Sequence, residues 1–407
     1  MNTYQVSTIR KDFPFLSCSP NVIYFDNAAT THKPHQVIET VSQFYACHNA
    51  PIARGIYRAA EQATARYEEA RTTIARYIVA HAHEVIFTSG ATEGINMVAA
   101  CWAQHMLKPG DELLVTQLEH NANFVVWQQL AKKIGARLVV ANITAQGELD
   151  MQDLYHKLSH KTRLVAITQT SNVLGTKVDV GSVIAHAHAI GARVLVDATQ
   201  AIPHQRINVH ELGADFLVFS GHKMLGPTGS GVLYVAQRMY EQMHPCRYGG
   251  GMVQQVTQDT AEWAPVPHKF EAGSPLTAQA LGLAQAVRYL EQLDFQALAA
   301  HEAHLTNQLI DQLTKYNRVH ILGPIDQLRT HGHMVSFVID GIHAHDIAAF
   351  LDAQHPSIAV SAGKQCANIV YNALGIQAAV RVSFYVYSTS EEIMLMSQYI
   401  EQIIRSS

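Results

Sequence analysis

Apolar, β-rich runs recur through the first two-thirds of the chain, and stretches with helical spacing separate them. The clearest are residues 112–116, 137–140, 164–167 and 193–196. This strand–helix rhythm predicts the α/β class, with a mainly parallel sheet covered by helices on both faces. Parallel strands aim their C-terminal ends at one crevice, so residues just beyond those ends are the first candidates for chemistry. At 407 residues and 48% hydrophobic, the chain has room for two domains and a sizeable core. No Gly/Ser linker or internal repeat marks a boundary.

Composition excludes several classes. The net charge is −4 with acids and bases interspersed, which argues against a nucleic-acid partner. The first six residues hold no basic or apolar leader, and no run approaches the roughly 18 apolar residues of a membrane span, so neither a signal peptide nor a membrane association is expected. Five scattered cysteines without a CxxC spacing fit a reducing cytoplasm better than a disulfide framework or zinc site. The 24 histidines include four His-x-His pairs, at 81/83, 186/188, 331/333 and 343/345. None has a third ligand close by in sequence, so no metal is expected.

The stretch 216–219 reads as a buried strand, and Ser220-Gly221-His222-Lys223 follows it. Lysine is rarely buried unless paired or used. In a dry cleft it sheds its proton more easily, and a neutral amine condenses with aldehydes. The run 193–197 is another strand and ends in Asp197. An acid and a buried lysine at one sheet edge are what pyridoxal phosphate needs. The plainer alternative for Lys223 is a surface lysine in a turn.

Other strand ends carry similar choices. Ser89-Gly90-Ala91-Thr92 enters a helix, where free N–H groups can seat a phosphate, or Ser89 or Thr92 can simply cap. His120 follows the strand 112–116 and is either a core or cap residue or an aromatic, near-neutral group for a ring to stack on. Asn172 and Gln200 are loop caps or polar ligands. Residues 361–368 read as a loop opening a helix; the helix dipole and Lys364 would lower the pKa of Cys366 and make it a nucleophile, against the alternative of a structural cysteine. The other four cysteines keep the structural reading. Arg381, placed at the start of a strand, offers a planar fork suited to a carboxylate.

Together, Asp197-x-x-Gln200, Ser220-x-His222-Lys223, Gly363-x-x-Cys366 and Arg381 resemble the class V, fold-type I pyridoxal phosphate enzymes, and most closely the cysteine desulfurases of the SufS/CsdA group. The resemblance runs from about Tyr24 to the C-terminus. It implies a large domain (21–290) with a mainly parallel seven-stranded sheet. A smaller α+β domain (291–407) would carry the cysteine loop, with segment 1–20 packed on it. It implies pyridoxal 5'-phosphate linked to Lys223, with Asp197 on the ring nitrogen and His120 stacked on the ring. Asn172 and Gln200 would serve the phenolic oxygen, and Ala91, Thr92, Ser220 and His222 the phosphate. Arg381, with Asn172, would hold the substrate. Ser274 stands where the family has threonine and would reach the phosphate of a second copy, implying a homodimer.

The implied reaction turns L-cysteine into L-alanine, leaves a persulfide on Cys366, and passes that sulfur to an acceptor protein, for iron–sulfur cluster or other sulfur-cofactor assembly. Selenocysteine lyase, with L-selenocysteine as substrate, a cysteine C–S lyase and a kynureninase-like hydrolase are the alternatives. The chain departs from the group at Ala53 and Tyr57, where histidines are usual, and at Ser361, Lys364 and Gln365 before the cysteine.

Overall fold

The structure is a computed structural model and describes residues 5–406. Seven strands form the central sheet: β1 (Val85–Thr88), β2 (Glu112–Thr116), β3 (Arg137–Ala141), β4 (Thr162–Thr168), β5 (Arg193–Asp197), β6 (Phe216–Ser220) and β7 (Gly231–Val235), in the spatial order β1-β7-β6-β5-β4-β2-β3. Neighbours from β6 through β5, β4 and β2 to β3 run parallel. Only β7 runs against its two neighbours. The sheet is therefore mainly parallel, as expected, and β1 to β6 all end at one edge. Every residue of β2, β6 and β7 is buried, because the helices Ala91–Val98, Ala122–Ile134 and Val180–Ala189 pack on the sheet. Glycine punctuates this pattern where a chain must reverse: the helix Ala122–Ile134 ends on Gly135, whose φ of 74° is a left-handed cap.

A second unit has its own sheet and core. Its strands Val319–Leu322, Met334–Ile339, Ala379–Ser383 and Ser361–Gly363 pair antiparallel in that order. The helices Phe295–Leu313, Ala344–Asp352 and Ser390–Ser406 supply Leu305, Ile347 and Ile400 to a core separate from the large one. Ile23 and Phe25 belong to this second core, because Val22–Tyr24 pairs in parallel with Ser357–Ala359. The stretch 21–25, grouped by sequence with the large domain, is thus built into the small unit.

Two local readings change. Ser361–Gly363 is an edge strand rather than loop, held by pairing with Ala379–Ser383. That pairing also puts Arg381 in mid-strand instead of at a strand start. Two helices, Thr277–Glu291 and Phe295–Leu313, lead into this second unit, parted where Asp294 accepts the N–H groups of Gln296 and Ala297. In the segment assigned to 1–20, residues 1–4 lie outside the described residues. Arg10 pairs with Glu392 at 2.9 Å, and the Phe13 ring meets those of Tyr289 and Tyr387. Among the described residues, no helix is long and apolar enough to cross a membrane.

Candidate active site

One cavity of about 400 Å³ lies beyond the carboxyl ends of β1, β2, β4, β5 and β6. It gathers Lys223, Asp197, His120, Asn172, Gln200, Ala91, Thr92, Ser220 and His222 from the large unit, and Cys366 and Arg381 from the small one. Asp197 closes β5 and is 5% exposed; its Oδ1 accepts the Thr199 N–H at 3.0 Å. Lys223 follows β6 in the short turn Gly221–Lys223. Burial and then the Arg381 charge bring its pKa down to about 8, against the opposing pull of Asp197, Cys366 and Asp26.

The other groups are held just as specifically. His120 Nδ1 accepts the Ala122 N–H at 3.0 Å. Burial, then Lys223, holds its pKa below the ordinary value, so the ring is neutral and its proton sits on Nε2. His222 is likewise neutral, its pKa lowered to about 4 by burial and by Lys223 and Lys33. The carbonyl of His222 accepts the Lys33 ammonium at 2.8 Å and the Thr31 N–H at 3.1 Å, which fixes the turn directly before Lys223. Gln200 Nε2 donates to Ala28 O at 2.8 Å.

At the end of β1, Ser220 Oγ accepts the N–H of Ala91, the first residue of the helix Ala91–Val98, at 2.9 Å. The serine's own proton is left to point elsewhere, and the N–H groups of this helix end are set to face an anion. The turn can sit this close to β7 only because Gly231 has no side chain: a Cβ there would lie 2.4 Å from the Gly90 Cα.

The small unit contributes a clamp and a thiol. Arg381 Nη1 donates to Asn172 O at 2.7 Å and Nη2 to Asp26 Oδ1 at 2.8 Å. Cys366 is exposed at the mouth, two residues before the helix Asn368–Leu374. Four residues lining the cavity carry a buried polar atom without a hydrogen-bond partner: Thr170 Oγ1, Asn172 Oδ1, Thr199 Oγ1 and Arg381 Nε. Buried polar atoms call for partners. Here these atoms and the helix end are the complement of a small, polar, phosphate-bearing ligand.

Ser274 is the one candidate that the fold does not bring to this cavity. It lines a separate cavity of about 690 Å³, together with Tyr45, Arg54 and Leu276. Sequence reasoning missed Asp26 as the partner of Arg381, Thr199 as the donor to Asp197, and Lys33; Asp26 and Lys33 pair across so many positions that no local pattern marks them. Of the His-x-His pairs, 81/83 does gain neighbours in space, since His81, Glu84 and His210 converge. Their polar atoms serve one another and the backbone: Glu84 accepts His210 Nε2, the His81 N–H and the Gln237 N–H.

The family described as aminotransferase class-V matches residues 23–396. A protein of Halobacterium salinarum named a probable cysteine desulfurase is 40% identical over 393 residues, which cover 95% of this chain and 94% of that one. The apo cysteine desulfurase of Thermococcus onnurineus has the same fold at a TM-score of 0.94 and 36% identity, covering 100% of this chain and 99% of its own. The cysteine desulfurase CsdA of Escherichia coli follows at 0.91 and 33%, covering 99% of each. The chain belongs to the aminotransferase class-V family and has its fold-type I architecture.

Proposed function

We propose that the chain is a pyridoxal 5'-phosphate-dependent cysteine desulfurase, converting L-cysteine to L-alanine and taking the sulfur as a persulfide on Cys366. The observation that carries this reading is the single cavity that joins an amine, an acid, an imidazole and a guanidinium to an exposed thiol, drawn from both units. Relatives at about the same length bear the desulfurase name.

The residues fit the cofactor. The Ala91–Thr92 helix end, Ser220 and His222 would hold the phosphate, Asp197 the ring nitrogen, His120 the ring face, and Asn172 and Gln200 the phenolic oxygen; all of them line the cavity. When bound, the cofactor supplies an aldehyde and a ring that accepts an electron pair. Lys223, poised near pH 8, provides the amine that anchors it and moves the proton at the substrate α-carbon. Asp197 would hold a proton at the ring nitrogen. Neutral His120 offers its Nε2 proton. Arg381, oriented by Asn172 and Asp26, grips the substrate carboxylate.

The Cys366 thiolate attacks the substrate sulfur. The carbon–sulfur bond breaks, a sulfur–sulfur bond forms, and the β-carbon gains a proton to become the methyl group of alanine. The two thiols together supply the hydrogens of the persulfide and of that methyl group, so no outside reductant is needed.

The same reading includes a homodimer. Ser274 sits on a segment anchored by Glu271, which accepts both terminal nitrogens of Arg71, at 2.7 and 2.8 Å. From there it serves the phosphate of a second copy. The chain divides into a segment 1–20, a large domain from about 26 to 290, and a small domain beyond that also takes in 21–25, and works in the cytoplasm. An acceptor protein docks at Cys366 and takes the sulfur for iron–sulfur cluster or other sulfur-cofactor assembly. The test is to incubate the purified, cofactor-loaded protein with L-cysteine and look for alanine and for an added sulfur on Cys366 by mass spectrometry. Pyruvate in place of alanine, or no sulfur on that residue, sinks the reading.

A further inference from the structure

The turn that bears Cys366 is bent against the preference of its own backbone. Gln365 has φ 40° and Cys366 φ 54°, both in the left-handed region, and neither is glycine. That region crowds any residue with a Cβ, so such a bend persists only where the surroundings hold it. The large unit does the holding. The Asn121 N–H donates to Cys366 O at 2.7 Å, and Asn172 Nδ2 to Gln365 O at 2.8 Å. The side chains of Asn121 and Asn368 then close a reciprocal pair: Asn121 Nδ2 donates to Asn368 Oδ1 at 3.1 Å, and the Asn368 N–H donates to Asn121 Oδ1 at 3.3 Å. Asn121 directly follows His120, and Asn368 lies two residues past Cys366, so the pair ties the imidazole's loop to the nucleophile's turn across the two units.

We propose that Asn121 and Asn368 are positioning residues, forming a clasp that sets the Cys366 thiol against the substrate's sulfur. The proposal rests on the reading of Cys366 as the sulfur-accepting nucleophile. Neither side chain need touch substrate or cofactor. Both hydrogen bonds lie at the surface, so either side chain can be cut back without opening a buried gap. The small unit keeps its own hold on the turn, since the Gln365 side chain is bonded by Tyr371 Oη and donates to Ala379 O. A broken clasp therefore loosens the turn without unfolding it. Displacing an attacking group by about 1 Å costs on the order of 100-fold in rate.

The test uses the cofactor-loaded protein and the variants Asn121→Ala, Asn368→Ala and both together. Alanine formation gives kcat and KM for L-cysteine; iodoacetamide labelling of Cys366, followed by mass spectrometry, reads the turn without turnover. Asn121→Ala removes both bonds and should lower kcat at least about 10-fold with KM within about 2-fold; Asn368→Ala leaves the Asn368 N–H on Asn121 Oδ1 and should cost less, and the double variant should be no worse than Asn121→Ala alone, because that variant already opens the whole clasp. Labelling should become faster, and the melting temperature should stay put. Parental kcat in Asn121→Ala, or losses that multiply in the double variant, overturn the clasp. Cys366→Ala separates the two failures: turnover that survives it removes the desulfurase reading, whereas turnover lost in it beside parental clasp variants removes only the clasp.

Discussion

Arg381 and Asp26 stand 355 positions apart in the chain and meet at 2.8 Å, Nη2 to Oδ1. Asp26 leads the turn that follows Val22–Tyr24, so the small unit's own strand brings the carboxylate to the guanidinium. Asn172 O holds Nη1, and Nε is left as the buried nitrogen without a partner. A guanidinium pinned this way presents its Nε edge to an incoming carboxylate. Asp26→Ala removes one pin and should raise KM for L-cysteine about 10-fold, the worth of one charge-assisted hydrogen bond. Asp26→Asn keeps an acceptor oxygen and should stay within about 3-fold of the parent. Steady-state kinetics on the two variants checks this; equal KM values in both would mean that Asp26 does not orient Arg381.

The amine of Lys223 sets a pH dependence whose sign follows from burial. Its pKa is about 8 in the folded chain against an ordinary 10.5. Between those values the unfolded chain carries the extra proton, so this group makes the cofactor-free protein more stable as pH rises through the window; below about pH 8 its full destabilising effect is present. Lys223→Met should therefore stabilise the cofactor-free protein at pH 7, and the gain should shrink toward pH 10. Denaturant melts at the two pH values read this. Coupling of added pyridoxal phosphate to the parent, followed by absorbance, should accelerate with a midpoint near pH 8. A midpoint near that of free lysine would mean the amine is not desolvated as the fold implies.

What the chain discloses about itself divides by distance. Lys223, Asp197 and His120 are legible because each stands at or just past the end of an apolar strand, and strand ends in a parallel sheet share one edge. Cys366 and Arg381 are legible by chemical type. The partners that hold them are not: Asn121 and Asn368 are 247 positions apart, and nothing local to either names the other. The apolar run at 22–25 forms the strand Val22–Tyr24, yet an apolar strand does not say which sheet it joins, and it joins the small one. Ser361–Gly363 was invisible because three small residues carry no apolar pattern; only pairing with Ala379–Ser383 makes them a strand. The break before Phe295 was within reach, since Asp294 is a standard cap residue.

Glu119 sits directly before His120, is fully buried, and accepts from three sides: Thr116 Oγ1 at 2.7 Å, the Thr168 N–H at 3.0 Å and Asn123 Nδ2 at 2.6 Å. Asn123 cannot turn its amide to suit a new partner, because its Oδ1 already accepts Trp127 Nε1 at 3.0 Å. In Glu119→Gln the new NH₂ must face a donor whichever way the amide points. The variant should lose about 1–3 kcal/mol of stability, the cost of a buried group left without its partner. Urea unfolding measures it; a stability equal to the parent would show that the Asn123–Trp127 link gives way.

The closest backbone approach at the phosphate end is between Gly231 of β7 and Gly90, where an added Cβ would stand 2.4 Å from Cα and 2.8 Å from N and C. All three are main-chain atoms, so no flexible side chain can yield. Gly231 pairs with Thr88 on one side and Ser220 on the other, and both strands are fixed by the core. The only part free to move is the turn Ser89–Ala91, which carries the helix N-terminus. Gly231→Ala should therefore push that turn outward, break the Ser220 Oγ to Ala91 N–H bond, and weaken retention of pyridoxal phosphate by about 10-fold or more, for at least one lost hydrogen bond and a displaced dipole. Dialysis followed by cofactor absorbance gives the retention, and circular dichroism shows whether the fold survives. Parental retention in a folded Gly231→Ala protein would place the phosphate somewhere other than this helix end.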